Sequence, residues 1–300
     1  MRGSAKEWVG CIARIVAWTA LLVGLTIVLH AVWDLLPLDP SELLLPSSVI
    51  TAGAALIAGA VLVRFADGRS PAAIGIAVSK NTPREIGIGV LIGVTGLAVA
   101  TLALLVSGTL AFNAQAGSAG AWIGTIAMHA AIFTVAALAE EALFRGYAFQ
   151  VLARTAGPAA AVVVSSILFA LAHGANPSIG TFALINIFLA GILLGIAYLR
   201  TLSLWFATAV HMGWNWAMAS LFDLPVSGLQ MFDTPLYEPA VGGPAWWSGA
   251  MFGPEGGLVG TIGFGVALVL TLRWRAVRPD PAMLAARPLV IRTEGETNVG

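Results

Sequence analysis

The chain has 300 residues, of which 58% are hydrophobic and only 10% charged, with a mean hydropathy of +0.90. A soluble domain carries about a quarter charged residues, so this composition excludes an ordinary soluble fold and is read as a polytopic membrane protein. Fifteen basic and fifteen acidic side chains cancel to a net charge of zero, which leaves no bulk field for nucleic acid, and the single Cys11 excludes an intrachain disulfide or a cysteine-based metal site.

A spanning helix needs about 20 apolar residues. Segments of that kind fall at about 11–33, 47–64, 86–112, 122–152, 158–174, 179–199, 203–222 and 257–274, which predicts an all-α fold of eight transmembrane helices. No small-residue cleavage site follows the first segment in an obvious place, so it is read as a retained helix. With the N-terminus inside, all 15 Lys and Arg fall in cytoplasmic segments or cytoplasmic halves of helices: Arg2, Lys6, Arg14, Arg64, Arg69, Lys80, Arg84, Arg145, Arg154, Arg200, Arg273, Arg275, Arg278, Arg287 and Arg292. The first opposite loop holds Asp34, Asp39 and Glu42, and the last holds Asp223, Asp233, Glu238 and Glu255. This positive-inside bias places both termini in the cytoplasm. Gly89-x-x-x-Gly93 and Gly191-x-x-x-Gly195 are spacings for close helix packing. The 223–256 segment reads as an outer loop, and the polar, proline-containing 276–300 as a disordered cytoplasmic tail.

The fourth segment contains two adjacent acids, Glu140 and Glu141. An acid at the centre of a membrane helix costs roughly 2.5–3.5 kcal/mol on insertion scales, so such a pair must be paired, solvated or used. Successive helical residues project about 100° apart, so the two cannot do one job. Glu141 precedes Arg145 at i,i+4, the favoured orientation for an ion pair. Glu140 shares its face with Phe144 and finds no basic partner on its own helix. The competing reading puts both acids above the bilayer, in a cytoplasmic vestibule.

Four histidines are present. His30, near the outer end of the first helix, reads as interfacial, and His129, about 16 Å beyond Glu140 on the same face, as a packing or pore residue. His173 follows Phe169 at i,i+4 on the fifth helix, and His211 precedes Asn215 at i,i+4 on the seventh. At 1.5 Å per residue, Glu140 lies about 21 Å from Arg154, His173 about 22 Å from Pro158 and His211 about 16 Å from Arg200. Three helices thus bring an acid, two imidazoles and an amide to similar depth. Such a set can activate water in two ways. Glu140, His173 and His211 can ligate Zn²⁺ whose open position holds a water of lowered pKa. Without metal, Glu140, alone or with His173, can act as general base while His211 and Asn215 donate to an oxyanion. Either route ends in hydrolysis of an acyl bond, most simply a peptide. No H-E-x-x-H, G-x-S-x-G or phosphate-binding glycine loop is present, and Ser165 and Ser166 read as packing residues.

Glu140-Glu141-x-x-x-Arg145, Phe169-x-x-x-His173 and His211-x-x-x-Asn215, on three helices in that order, resemble the CPBP family of intramembrane proteases. These are the CAAX proteases and bacteriocin-processing enzymes, among them the abortive-infection membrane proteins and the Ras-converting endopeptidase. The resemblance covers about residues 120–222 and implies a catalytic core there, preceded by helices one to three in 1–119. The outer loop 223–256, the last helix 257–275 and the tail 276–300 follow. It implies that Glu140 and His173 activate the water, that His211 and Asn215 stabilise the oxyanion, and that Glu141, Arg145 and Phe169 support the site. It leaves open a metalloprotease or a metal-free glutamate mechanism. Implied partners are a peptide or membrane-protein substrate and membrane lipid, with no nucleic acid, in a multi-pass protein of the plasma membrane. Two other functions remain in view at this level: a proton-coupled transporter using Glu140 and Glu141, and a non-catalytic membrane scaffold that keeps the motifs for packing.

Overall fold

A computed structural model describes residues 4–35, 44–230 and 232–291. Asp39, Glu42, Arg2, Arg292 and the tail beyond 291 lie outside the described residues. The elements run α1 (Ala5–Trp33), α2 (Leu44–Phe65), a 3₁₀ turn (Pro71–Ile74), α3 (Thr82–Val106), β1 (Leu110–Ala114), α4 (Ala119–Arg145), α5 (Tyr147–Ala156), α6 (Pro158–Ala172), α7 (Thr181–Thr201) and α8 (Leu204–Trp216). They continue through a π turn (Ala217–Leu221), β2 (Tyr237–Val241), a short α9 (Ala245–Ser248), α10 (Leu258–Arg273) and α11 (Pro281–Ala286). Helix starts carry their expected caps: Ser4 forms a capping box with Glu7, and Ser118 and Ser203 accept from backbone N–H groups of α4 and α8.

The structure refines several of these expectations. The fold is mostly helical but includes a two-stranded antiparallel sheet, in which Leu110 pairs with Val241 and Ala114 with Tyr237. Of the eight expected spans, five helical stretches among the described residues are long and apolar enough to cross by themselves: α1, 45–65 of α2, α3, α4 with α5, and α7. The apolar helices α6 and α10 have 15 and 16 residues and α8 has 13, which at 1.5 Å per residue fall short of a hydrocarbon core about 30 Å thick. The fourth helix is interrupted at Gly146, where the backbone leaves helical geometry (ψ −135°). A Cβ there would run into the Ala142 carbonyl, so only glycine fits. The tail is not structureless through residue 291. Met283 and Leu289 are buried, the Leu289 N–H donates to Gln150 Oε1 (2.8 Å), and Arg69 donates to the carbonyls of Arg287 and Pro288. Apolar side chains that find a buried cleft outweigh the polar composition that predicted disorder.

The connections fall into two bonded groups at opposite ends of the bundle. One joins the α1 start, the α2–α3 connection, α5, the α7–α8 connection and the tail. There Arg14 pairs with Asp67 (3.0 Å), Tyr147 donates to Asp67, Gln150 to Ala73 O, and Arg200 to Val277 O. The other joins the α3–α4 connection to the α8–α10 segment through the sheet, and the α6–α7 connection to Ser227 through Asn176.

Small residues let the helices approach. Gly89 and Gly93 of α3 face Phe206, Ala209 and Val210 of α8, and Gly96 meets Gly263 of α10. Gly191 of α7 lies so close to α6 that a Cβ would sit 2.8 Å from the Ser166 Cα. Since backbone rather than a movable side chain occupies that space, Gly191→Val should destabilise the protein by about 1–3 kcal/mol, read as a lowered thermal midpoint in detergent.

Asp223, just past the π turn, accepts from the Thr234 N–H (3.2 Å) and is buried, which pushes its carboxyl from 3.8 up to about 6. A raised acid contributes stability that is complete below its unfolded pKa and is lost as pH rises through the folded value. Asp223→Asn keeps an oxygen for Thr234 but cannot ionise. Its thermal midpoint should therefore exceed that of the parent at about pH 8 and match it below about pH 4.

Candidate active site

Helix α4 delivers the adjacent acids to different surroundings. Glu141 and Arg145 pair at 3.0 Å, and neither side chain is exposed at all. The guanidinium also donates to the Gly191 carbonyl of α7 (3.0 Å) and lies 4.7 Å from the centre of the Phe169 ring. Close approach of α7 at Gly191 is what brings that carbonyl within reach. The i,i+4 pair is therefore present as the spacing predicts, and Glu141 has a second partner that spacing did not predict: its Oε1 bonds His211 Nδ1 of α8 at 2.9 Å.

A carboxylate only accepts, so His211 donates from Nδ1. His173, the C-cap of α6, likewise donates from Nδ1 to the Phe169 carbonyl (2.8 Å). In each neutral ring Nε2 is then the free acceptor. Both Nε2 atoms lie 3.9 Å from one oxygen, Glu140 Oε2. That oxygen is buried and has no hydrogen-bond partner, although the Glu140 side chain as a whole is 34% exposed. Three acceptors thus face one another, and among the described residues no hydrogen bond reaches Glu140 Oε2. Phe169 is buried between them, its ring 4.6 Å from that of His173 and 6.0 Å from that of His211.

Glutamate and two imidazoles are a donor set that zinc takes. Zinc bonds of about 2.0–2.1 Å at a tetrahedral angle would hold two donor atoms roughly 3.4 Å apart, closer than these stand. Among the described residues no group of three His, Cys, Asp or Glu is spaced to hold a metal ion. The donor atoms thus stand wider apart than tetrahedral zinc holds them. The 3.9 Å separations suit a water at hydrogen-bond distance from both atoms of each pair.

Asn215, one turn after His211, lines a narrow cavity together with Phe169, His173, His211 and Trp214. The sequence reading missed a further acid on that wall. Glu255, expected to be an outer-loop charge, is buried there. It accepts from Trp214 Nε1 (3.0 Å) and from Ser227 N and Oγ (3.0 and 2.6 Å). Burial pushes its carboxyl up, against the Ser227 and Trp214 hydrogen bonds and the nearby His173 and His211. No periodic signal marks it, because it sits in a glycine-flanked turn. His129 is not part of the site: it bonds Ser220 Oγ (3.0 Å) and stacks on Phe232. His30 bonds the Thr26 carbonyl of its own helix.

Removing one partner of a fully buried ion pair strands the other charge, at a cost of about 3–5 kcal/mol. Arg145→Ala should therefore lose thermal stability in detergent by that order. The same variant should also perturb the His211 ring, since Glu141 would lose the cation that fixes its position beside that ring.

No curated protein sequence matches the chain. A family model described as type II CAAX prenyl endopeptidase, Rce1-like, matches residues 121–217. That stretch contains Glu140, Glu141, Arg145, Phe169, His173, His211 and Asn215. Residues 121–217 thus form an Rce1-like domain, which supports membership of the CPBP family.

Proposed function

We propose that the protein is an intramembrane endopeptidase in which Glu140 and His173 activate the attacking water and His211 and Asn215 stabilise the oxyanion. The observation that supports this most directly is the unpartnered Glu140 Oε2, facing two imidazole Nε2 atoms at 3.9 Å. A buried oxygen without a donor is costly, and a water removes that cost by donating to it. Glu140, with His173 beside it, takes a proton as the water oxygen bonds to the peptide carbonyl carbon. The developing oxyanion then needs donors. The Asn215 amide is one. His211 is the other: with Nδ1–H held by Glu141, its Nε2 donates to the oxyanion after taking up a proton from solvent ahead of the attack. The proton held at Glu140 passes to the amine as the C–N bond breaks. No step requires a metal.

The catalytic core is placed at 120–222, following the residues that form the site. The family description makes a prenylated C-terminal peptide the first substrate class to test. We place the protein in the plasma membrane with eight passages and both termini cytoplasmic. The two groups of connections support this, because the α3–α4 and α8–α10 segments pair through the sheet. An even number of passages must lie between them, which is satisfied by α4 with α5, α6, α7 and α8. The opposite group carries Arg14, Arg69, Arg200 and Arg287, which makes it the cytoplasmic one. Short helices can complete passages where their ends are covered by protein.

The purified protein should cleave a fluorogenic prenylated peptide, and Glu140→Gln should lower kcat by about 10²–10⁴-fold. Its thermal midpoint should stay near that of the parent, because the Oε2 atom it alters holds no bond to lose. Cleavage by Glu140→Gln at the parent rate would eliminate the hydrolytic reading. If the variant instead abolished proton-coupled flux in proteoliposomes, a transporter would replace it. A zinc chelator should leave activity unchanged, whereas loss that zinc restores would reverse the metal-free route.

A further inference from the structure

Glu255 is a buried carboxylate that no Lys or Arg pairs with among the described residues. It lies in the turn Pro254–Gly256, ahead of α10. A buried acid of this kind must be held by hydrogen bonds, and three reach it. What they connect is informative.

The first bond comes from Trp214, which stands between His211 and Asn215 in the sequence of α8. The other two come from Ser227. Ser227 in turn offers its carbonyl to Asn176 Nδ2 (2.9 Å), and the Asn176 N–H donates to the carbonyl of His173 (3.0 Å). One oxygen of Glu255 thus holds the helix that carries His211 and Asn215, and the other holds the turn that carries His173. The acid itself is anchored from behind. Asn186 of α7 donates from Nδ2 to the carbonyls of Glu255 and Gly257 (2.8 Å each), and Thr261 of α10 donates to Asn186 Oδ1 (2.7 Å). Asn186 is fully buried in an otherwise apolar helix, where an amide persists only if all its groups are used.

We infer that Glu255 is a positioning residue that sets the distance between His173 and His211 by bracing α8 against the end of α6. No other described side chain accepts from both Trp214 and Ser227. Without the brace the two rings hang from separate elements, α6 through its last turn and α8 through the Glu141 bond, with nothing on this wall to hold them in register. Positioning of this kind acts on the chemical step more than on substrate binding, because the imidazoles must share one water.

The inference rests on the hydrolytic reading for its kinetics but not for its spectroscopy. Glu255→Gln presents an amide NH₂ where both partners are donors, so at least one bond is lost. With the fluorogenic prenylated peptide, kcat should fall about 10–100-fold while KM stays within about threefold. Ser227→Ala, a small change that retains the backbone N–H bond, should give a lesser loss, and should add nothing in the Glu255→Gln background. Independently of activity, side-chain ¹⁵N-histidine NMR of the detergent-solubilised protein reads four rings. Glu255→Gln and Ser227→Ala should each shift the signals of His173 and His211 and leave those of His30 and His129 in place. Unmoved His173 and His211 signals, or equal movement of all four, would overturn the brace, as would additive losses in the double variant. If the parent protein cleaves nothing, the hydrolytic reading fails alone and the NMR comparison still decides this one.

Discussion

A carboxylate and a guanidinium, both wholly removed from solvent, hold four helices to one point. Glu141 and Arg145 leave water at a price of several kcal/mol per ion, which their mutual attraction recovers only with good geometry and further bonds. The further bonds are the structure of the site. Arg145 reaches the Gly191 carbonyl of α7 and the Phe169 ring of α6, and Glu141 reaches His211 of α8. Saturation is incomplete, since Glu141 Oε2 and Arg145 Nε have no partners. The pair is therefore better understood as a device for orientation than for stability. It selects which nitrogen of His211 carries the proton and where the ring points.

The neighbouring acid has the opposite environment. A rotation of about 100° takes Glu140 out of the ion pair with Arg145 and leaves it partly exposed, opposite two imidazole nitrogens. One carboxylate is consumed by structure and the other is left available for chemistry. Small residues make the arrangement possible: without Gly191 the helix that supplies a carbonyl to Arg145 could not come near, and without Gly89 and Gly93 helix α8 could not seat His211 at that depth.

The short helices belong to the same logic. Helix α6 ends at His173, so one imidazole stands at a helix end rather than mid-helix. Exposed helix ends within a membrane protein need partners for their carbonyls, and the 174–180 and 222–257 connections supply them: the Asn176 N–H donates to the His173 carbonyl and the Leu224 N–H to that of Met218. Those same connections carry Glu255 to the wall of the cavity. Outer-side segments that look like simple linkers in composition are part of the site's frame.

Much of this was legible beforehand. The i,i+4 pairing of Glu141 with Arg145, the separation of the two acids onto different faces, close helix packing at Gly191, and the approach of Glu140 to His173 and His211 follow from spacing and depth. Other features were not. The break at Gly146, the bond from Glu141 to His211, the recruitment of Glu255 and the docking of 276–291 have no periodic signature. The division is physical. Contacts within one helix repeat every 3.6 residues, so sequence alone determines which side chains share a face. Contacts between helices depend on crossing angle, on where each helix stops and on which turn folds back over the end. Tertiary packing alone therefore decided that the structural acid also orients a histidine, and that an acid from the 222–257 connection lies buried on the wall of the cavity.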